Sequence, residues 1–205
     1  MARRTREEAE QTRQTLLDTA LRLYAEHGIH SISLKAIAAE AGVTHGALYW
    51  HFESRDHLIC ALAQNYTLPF EAHYLEALQS LDQDAMLGLK EFLCKSAMQV
   101  MRDPQGKQTF RLFYLRRKEL PALAALDEIL AEQWQQWEAS IERFLKQARK
   151  QKQIRKKSKG RPYAALLLSQ VIGALTMQEL MPAAQANDAM LELSIETALL
   201  GVTAD

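Results

Sequence analysis

Apolar residues recur at intervals of three and four along most of the chain, the period of a helix that buries one face. The first such face is formed by Leu16, Ala20, Leu23 and Tyr24. Thr5 and Glu8 precede it with the spacing of a capping box, in which each side chain bonds the other residue's backbone N–H. Gly28 follows it and can take the left-handed conformation that ends a helix. The pattern therefore predicts a first helix between a cap at Thr5 and a stop at Gly28.

Two short helices joined by a tight turn come next in the pattern. Ser33 can cap the first of them, and Gly42 can end it. Its inner face consists of Leu34, Ile37, Ala38 and Ala41. Only Val43 separates Gly42 from Thr44, which can cap a second helix over residues 45–51. This arrangement predicts a helix-turn-helix, whose second helix enters the major groove of DNA.

The remaining chain keeps the helical period. Ser54 can cap a fourth helix, which Pro69 should kink or interrupt. Further helices are predicted over residues 84–101, 109–119, 126–145, 163–181 and 187–200. The alternating pattern that is typical of strands does not occur in the sequence. We therefore predict an all-α fold, with a three-helix N-terminal helix-turn-helix domain at residues 1–54. A larger helical domain for ligand binding and dimerisation is predicted at residues 55–205.

Composition narrows the class of protein without identifying it. The 205 residues carry 25 basic and 25 acidic side chains, so the formal net charge is zero. Residues 1–60 contain seven basic and eight acidic side chains, and charge alone does not indicate a nucleic-acid binder. Cys60 and Cys94 lie within apolar helical patterns and are expected to be reduced thiols. We find no run of 18 apolar residues and no signal-peptide pattern, and we predict a cytoplasmic protein without a membrane partner.

Side chains of the second short helix suit contact with DNA. Gly46 costs up to about 1 kcal/mol in a helix relative to Ala, so the missing side chain needs a reason. Close approach of the helix N-terminus to phosphate would supply that reason. His45 and Tyr49 are four residues apart and share one face. Trp50 and His51 flank that face, where an indole or imidazole N–H can reach the DNA backbone.

Two alternatives remain for these side chains. Tyr49 and Trp50 could be core aromatic residues, although Leu48 and Phe52 already form an apolar pair one turn apart. The histidines at positions 45 and 51 could bind a metal, but a spacing of six residues does not place two imidazoles on one helical face. We predict no metal site and no cofactor.

Residues 34–52, LKAIAAEAGVTHGALYWHF, resemble the helix-turn-helix signature of the TetR family of bacterial regulators. The opening MARRT and the segment GALYWHF are similar especially to the AcrR/TtgR type of multidrug-efflux repressor. The resemblance implies a repressor that binds a pseudopalindromic operator as a homodimer and is released by a small hydrophobic ligand. The predicted DNA-binding residues are Arg3, Arg4, Ser33, Lys35, Thr44, His45, Gly46, Ala47, Tyr49, Trp50, His51 and Arg55.

Two positions depart from the pattern of this family. His45 stands where relatives often carry Arg or Lys, and Glu53 stands where a basic residue is common. Both residues lower the nonspecific attraction to phosphate. Arg3, Arg4 and Arg6 are predicted to compensate as an arm that contacts the DNA backbone or the minor groove.

The stretch 163–181 is apolar on nearly all sides, and no Lys or Arg follows Arg161. In a chain of this size, such a helix is predicted to face both its own core and a partner subunit. The predicted dimer-interface residues are Leu166, Leu167, Val171, Leu175, Leu193 and Leu199. The alternative is an ordinary central core helix. The basic run at 146–161 is interpreted as a solvated helix end, with phosphate binding as its alternative.

Aromatic, soft and polar side chains within apolar helices are candidates for a pocket that binds a hydrophobic ligand. They are Tyr66, Phe70, Phe110, Phe113, Tyr114, Trp134, Trp137, Gln170, Met177 and Gln178. Each of them also fits an ordinary core position. An enzyme is disfavoured because the sequence has no phosphate loop, metal-ligand spacing or nucleophile motif. A helical adaptor with a vestigial helix-turn-helix stays open, because residues 1–60 are slightly acidic.

Overall fold

The computed structural model describes residues 6–158, 160–182 and 187–203, so the predicted cap at Thr5 lies outside it. The first helices are α1 (Arg6–His27), α2 (Leu34–Glu40), α3 (His45–His51), α4 (Arg55–Asn65) and α5 (Phe70–Ala77). They are followed by α6 (Ala85–Arg102), α7 (Pro104–Phe110), α8 (Ala124–Lys150), α9 (Arg161–Leu180) and α10 (Asp188–Leu200). Within these described ranges the β-structure is limited to an isolated bridge between Ile154 and Thr203. The all-α prediction is confirmed.

Polar caps begin the helices where the sequence places them. The hydroxyls of Ser33, Thr44 and Ser54 each accept the backbone N–H three residues later, at 3.1, 3.2 and 3.0 Å. Asp84 and Asn187 do the same for α6 and α10, both at 2.9 Å. Each bond satisfies one of the donors that a helix N-terminus leaves unpaired. The starts of these five helices are therefore fixed by local chemistry.

The helix boundaries at Pro69 and Pro104 differ in how well they were predicted. Pro69 occupies the N-cap position of α5, which confirms that it interrupts the helical run after α4. The prediction of one α-helix over 109–119 is wrong. The helix α7 begins five residues earlier, because Pro104 needs no hydrogen-bond donor at the first helical position. Residues 111–115 then continue as π-helix and 117–119 as a 3₁₀ turn.

The chain divides into two compact units. The first consists of Met1–Thr67 and Pro104–Leu130, and the second consists of Leu68–Asp103 and Ala131–Asp205. This division does not coincide with the predicted boundary after residue 54, because α4 packs in the same core as α1. The assignment of DNA binding to residues 1–54 concerns function and stays a prediction.

The core of the first unit is built around the inner face of α1. Leu16, Leu17, Ala20 and Tyr24 on this face are fully buried. The α1 face packs with side chains from α2, α3 and α4 and from the segment 112–126. Burial of apolar side chains on this scale is the main source of stability for such short helices, which are marginal in isolation.

The second unit has an aromatic core. Phe70 stacks on Trp137 with ring centroids 4.7 Å apart, and Phe92 stacks on Phe144 at 6.1 Å. Tyr74 meets Phe92 edge-on at 5.7 Å. Helices α9 and α10 pack on each other and on α6, which completes this core.

Both thiols are free, as the sequence predicts. Cys94 is buried, and that burial raises the pKa of its thiol to about 11, so the thiol is protonated at neutral pH. Among the described residues, no helix is long and apolar enough to cross a membrane.

One side chain joins the end of α1 to a segment more than 80 residues later. The Arg116 guanidinium donates to the carbonyls of Ala25 and Glu26, both at 3.2 Å, and to Glu119 at 2.7 Å. Gly28 lies against this group with φ of 83°. A Cβ on Gly28 would lie 2.5 Å from a Glu119 carboxylate oxygen and 3.0 Å from the guanidinium.

This arrangement predicts unequal costs for two glycine substitutions. Gly28→Ala should lower the free energy of unfolding by about 2 kcal/mol, from left-handed strain and displacement of the Arg116–Glu119 pair. Gly42→Ala is the matched control, since Gly42 has φ of 69° with nothing within 4 Å of its Cβ position. It should cost only about 1 kcal/mol of strain. Urea denaturation measures both, and equal losses would contradict the contribution of the arginine pair.

Candidate nucleic-acid interface

The orientation of α3 is fixed by its buried side. Leu48 and Phe52 are completely buried, one turn apart, beside Ile37 of α2. Gly42, in the left-handed conformation, ends α2, and the Val43 N–H bonds the Ala38 carbonyl at 2.9 Å. The tight turn between α2 and α3 is therefore the one that Gly42 predicts.

The opposite side of α3 carries exposed rings. Trp50 is 74% exposed and Tyr49 is 45% exposed, so the alternative that they are core aromatic residues is wrong. His45 is also exposed, and its ring meets Tyr49 edge-on with centroids 4.8 Å apart. The half-buried His51 lies edge-on to Trp50 at 4.6 Å. These four rings, from His45, Tyr49, Trp50 and His51, form what we call the α3 ring face.

At Gly46 the surface of α3 has no side chain. No heavy atom lies within 4 Å of the position that a Cβ would take there. The fold of the chain therefore does not require glycine at this position. The predicted close approach of DNA to Gly46 therefore meets no obstacle within the described chain and stays a prediction.

The hydroxyls of Ser33 and Thr44 cap helices, and both residues remain exposed. Lys35 is exposed and Ala47 is half-buried. Arg55 is partly buried and donates to the Ile32 carbonyl at 3.1 Å, which gives it a structural contact that the sequence did not suggest.

Arg3 and Arg4 lie outside the described residues, so their part of the predicted arm stays a prediction. Arg6, the third residue assigned to the arm, is instead the first residue of α1. The acidic residue Glu40, near α3 in sequence, is paired with Arg22 at 2.6 Å. Sequence reasoning overlooked Arg13, whose guanidinium lies 5.6 Å from the centroid of the buried Phe52 ring. No sequence signal links these residues, because they are 39 positions apart and come together only in the folded unit. The described residues contain no group of three or more potential metal ligands.

Comparison with known proteins agrees with this geometry. The sequence pattern of "Bacterial regulatory proteins, tetR family" matches residues 16–62, which include α2, α3 and most of α4. The regulator AcrR of Shigella flexneri is 55% identical over 58 residues, which are 28% of this chain and 27% of AcrR. The uncharacterized regulator TtgW of Pseudomonas putida is 34% identical over 111 residues, which are 53% of this chain and 76% of TtgW. The chain belongs to the TetR family.

Similarity to solved structures extends over nearly the whole chain. The complex of SmeT with triclosan has a TM-score of 0.75 and 27% identity, covering 95% of this chain and 93% of that one. SmeT is the repressor of a multidrug efflux pump of Stenotrophomonas maltophilia. Sequence matches to curated relatives are shorter, and for AcrR the chain spans about a quarter of the relative's length. Members of this family are transcriptional regulators rather than enzymes.

The predicted ligand-binding residues are divided between the two units. Those in the first unit are Tyr66, Phe110, Phe113 and Tyr114, and those in the second are Phe70, Trp134, Trp137, Gln170, Met177 and Gln178. The Tyr66 hydroxyl donates to Asp18 at 2.6 Å, and burial together with this bond raises the pKa of Tyr66. Gln170 and Met177 are exposed on α9, where they do not line a core pocket.

The predicted dimer interface requires a correction. Leu167, Val171, Leu175 and Leu199 are buried within their own unit, because α9 turns one apolar side to α6 and α10. They have almost no surface left for a partner, and for them the alternative of core residues is right. Leu166 and Leu193 are 50% and 57% exposed, and for these two residues interface contact stays a prediction.

The open space around Gly46 leads to a prediction about Gly46→Ala. The free protein should keep its stability or gain up to about 1 kcal/mol in the free energy of unfolding, since Ala favours the helix and meets no neighbour. Affinity for the operator should nevertheless fall at least tenfold, because the methyl group would hold the helix away from DNA. Thermal melts and gel-shift titrations measure the two effects, and unchanged affinity would contradict close approach at Gly46.

Proposed function

We propose that the chain is a transcriptional repressor that binds a pseudopalindromic operator as a homodimer. In the proposal, a small hydrophobic molecule releases it from an operator that controls a multidrug-efflux operon. The observation that carries the proposal is the α3 ring face, which is exposed although most of its side chains are large and aromatic. Exposed aromatic clusters on a soluble protein indicate a binding surface.

The ring face suits a DNA groove. An α-helix fits the major groove, where side chains on one face meet base edges and flanking ones meet phosphates. His45 and Tyr49 would take the first role, and Trp50 and His51 would take the second through ring N–H groups. The slightly acidic balance of residues 1–60 means that nonspecific phosphate attraction is weak, so shape and hydrogen bonding would carry more of the affinity.

A second exposed face supports the dimer. On α9 this face contains Leu166, Gln170, Gly173, Met177 and Leu180, which are spaced by three and four residues. On α10 it contains Met190, Leu193, Thr197 and Leu200. We call the two together the α9–α10 face. Nothing lies within 4 Å of a Cβ at Gly173, so a partner helix could approach closely there.

Dimerisation would place two α3 ring faces so that each reads one half of the operator. Two recognition helices related by two-fold symmetry read half-sites whose centres are about 34–36 Å apart or a multiple of it. A ligand that weakens operator affinity a hundredfold needs about 2.7 kcal/mol of coupling, within the range of allosteric proteins. The assignment to efflux control is supported by the resemblance to SmeT, whose complex contains triclosan. The proposed site of action is the cytoplasm, where the operator DNA lies.

A gel shift with DNA upstream of the chain's own gene tests operator binding. The protein should retain one fragment specifically in excess competitor DNA, and Trp50→Ala should weaken retention ten- to a hundredfold. The control is Leu75→Ala, which removes another exposed apolar side chain, 58% exposed, in the second unit, and should leave retention unchanged. Failure to retain any promoter fragment would favour the adaptor. Turnover of a substrate would favour an enzyme.

The dimer is tested separately by sedimentation equilibrium. Leu193→Glu should convert the dimer to a monomer, because the two introduced carboxylates, one from each protomer, cannot be desolvated without partners at such an interface. Leu75→Glu places the same charge on an exposed leucine outside the α9–α10 face and should leave the dimer intact. Equal sedimentation of the Leu193→Glu variant and the unaltered protein would contradict this interface.

A further inference from the structure

A cleft of about 710 Å³ opens on the second unit, apart from every predicted ligand-binding residue. It lies between the start of α6, the end of α10 and the residues that follow α8. Its lining consists of Asp84, Met86, Leu87, Lys90, Lys152, Gln153, Glu196, Leu199, Leu200 and Thr203. The volume lies within the range of pockets that bind small organic molecules.

The apolar part of the cleft is exposed to solvent at its entrance. Leu87 is 48% exposed, Met86 is half-buried, and Leu199 closes the floor as a buried side chain. Leu200 belongs to the α9–α10 face and is not among the residues that would cover a ligand. A molecule with an apolar body would cover Met86 and Leu87 and remove their surface from water.

The charged side chains of the cleft are satisfied with one exception. Lys90 pairs with Glu196 and also with Glu192 at 3.3 Å. A carboxylate oxygen of Asp84 accepts the Leu87 N–H at 2.9 Å and the Gln153 side-chain amide at 2.7 Å. Within the described part of the chain, the Lys152 ammonium has no carboxylate within ion-pair distance.

The backbone at Lys152 is unusual for its residue type. Its φ is 61°, and the described residues contain no other non-glycine residue with positive φ. Its N–H bonds the Arg149 carbonyl at 3.1 Å, and the next N–H bonds the Ala148 carbonyl at 2.9 Å. These bonds form a Schellman motif at the end of α8, where glycine is the usual residue.

The chain itself uses glycine at equivalent positions. Gly28 after α1 and Gly42 after α2 have φ of 83° and 69°. A lysine in place of glycine at the end of α8 costs stability, because a Cβ is strained in the left-handed conformation. Residues kept in strained conformations mark functional positions more often than others do. The side chain of Lys152 therefore offers something that glycine would not, and it lines the cleft.

We propose that this cleft binds a small apolar molecule with one anionic group, such as a medium-chain carboxylate. The Lys152 ammonium holds the anionic group, and Met86, Leu87 and Leu199 cover the apolar body. Among the charged residues that line the cleft, only Lys152 is free to pair with a ligand without breaking an existing bond. This site would be additional to the effector site of the proposed repressor.

Calorimetric titration with decanoate and with decanol tests the proposal on the full-length protein. Lys152→Gln should weaken decanoate binding at least tenfold and leave decanol binding unchanged, since only the charge contact is lost. Lys157→Gln is the matched control, because it removes an exposed cation of the same loop that does not line the cleft. Equal weakening by both variants, or by neither, would overturn the site.

Lys152→Gly separates function from folding. This variant should lose decanoate affinity like Lys152→Gln, and its Tm should rise by about 2 °C, because glycine suits the left-handed conformation. A fall in Tm would show that lysine is kept for stability, which would overturn the argument from strain.

Chemical labelling locates the bound molecule. Decanoate should protect the Lys152 amine from acetylation at least fivefold, as measured by mass spectrometry, while Lys157 reacts at its usual rate. Binding of decanoate without protection of Lys152 would place the molecule elsewhere in the chain and overturn the proposal.

Discussion

The burial of Leu48 and Phe52 is the constraint on which the candidate interface depends. A helix of seven residues is too short to persist alone, so α3 exists only because this pair anchors it and Thr44 caps it. Two anchors one turn apart also fix the rotation of the helix about its axis. Every ring on the other side must then point into solvent. In the proposed role, the side chains that α3 offers to DNA are thus selected by the buried pair.

The exposed surfaces of the two units have a shared character. Each presents apolar or aromatic side chains to water at helical spacing, around Trp50 in one unit and around Leu193 in the other. Such surfaces are unfavourable for an isolated soluble chain and favour association. The net charge is zero, so the chain as a whole carries no net electrostatic attraction toward DNA or toward a second copy. In the proposed associations, complementary shape would provide the selectivity.

Local signals were readable in the sequence and long-range ones were not. The caps at Ser33, Thr44 and Ser54 involve bonds over three residues, so their prediction needed no tertiary information. The sequence of a helix that is apolar on all sides, such as α9, indicates burial on two sides but does not show which side meets a partner. For this reason four core residues of α9 and α10 were predicted to lie in the dimer interface. The contact of Arg55 with Ile32 left no pattern, since it joins residues 23 positions apart. The left-handed backbone at Lys152 is local, but it could not be read because the usual glycine is absent there.

The hydrogen bonds between Arg116 and the end of α1 bear on the order in which the parts of the chain fold during synthesis. The first 67 residues contain the whole helix-turn-helix, yet their core also includes Leu112, Phe113 and Leu126. A nascent chain that has emerged only through α4 therefore exposes the apolar surface that these residues later cover. Completion of the N-terminal unit must wait until the ribosome has released about 130 residues, so Leu68–Asp103, about a third of the second unit, emerges before the first is closed.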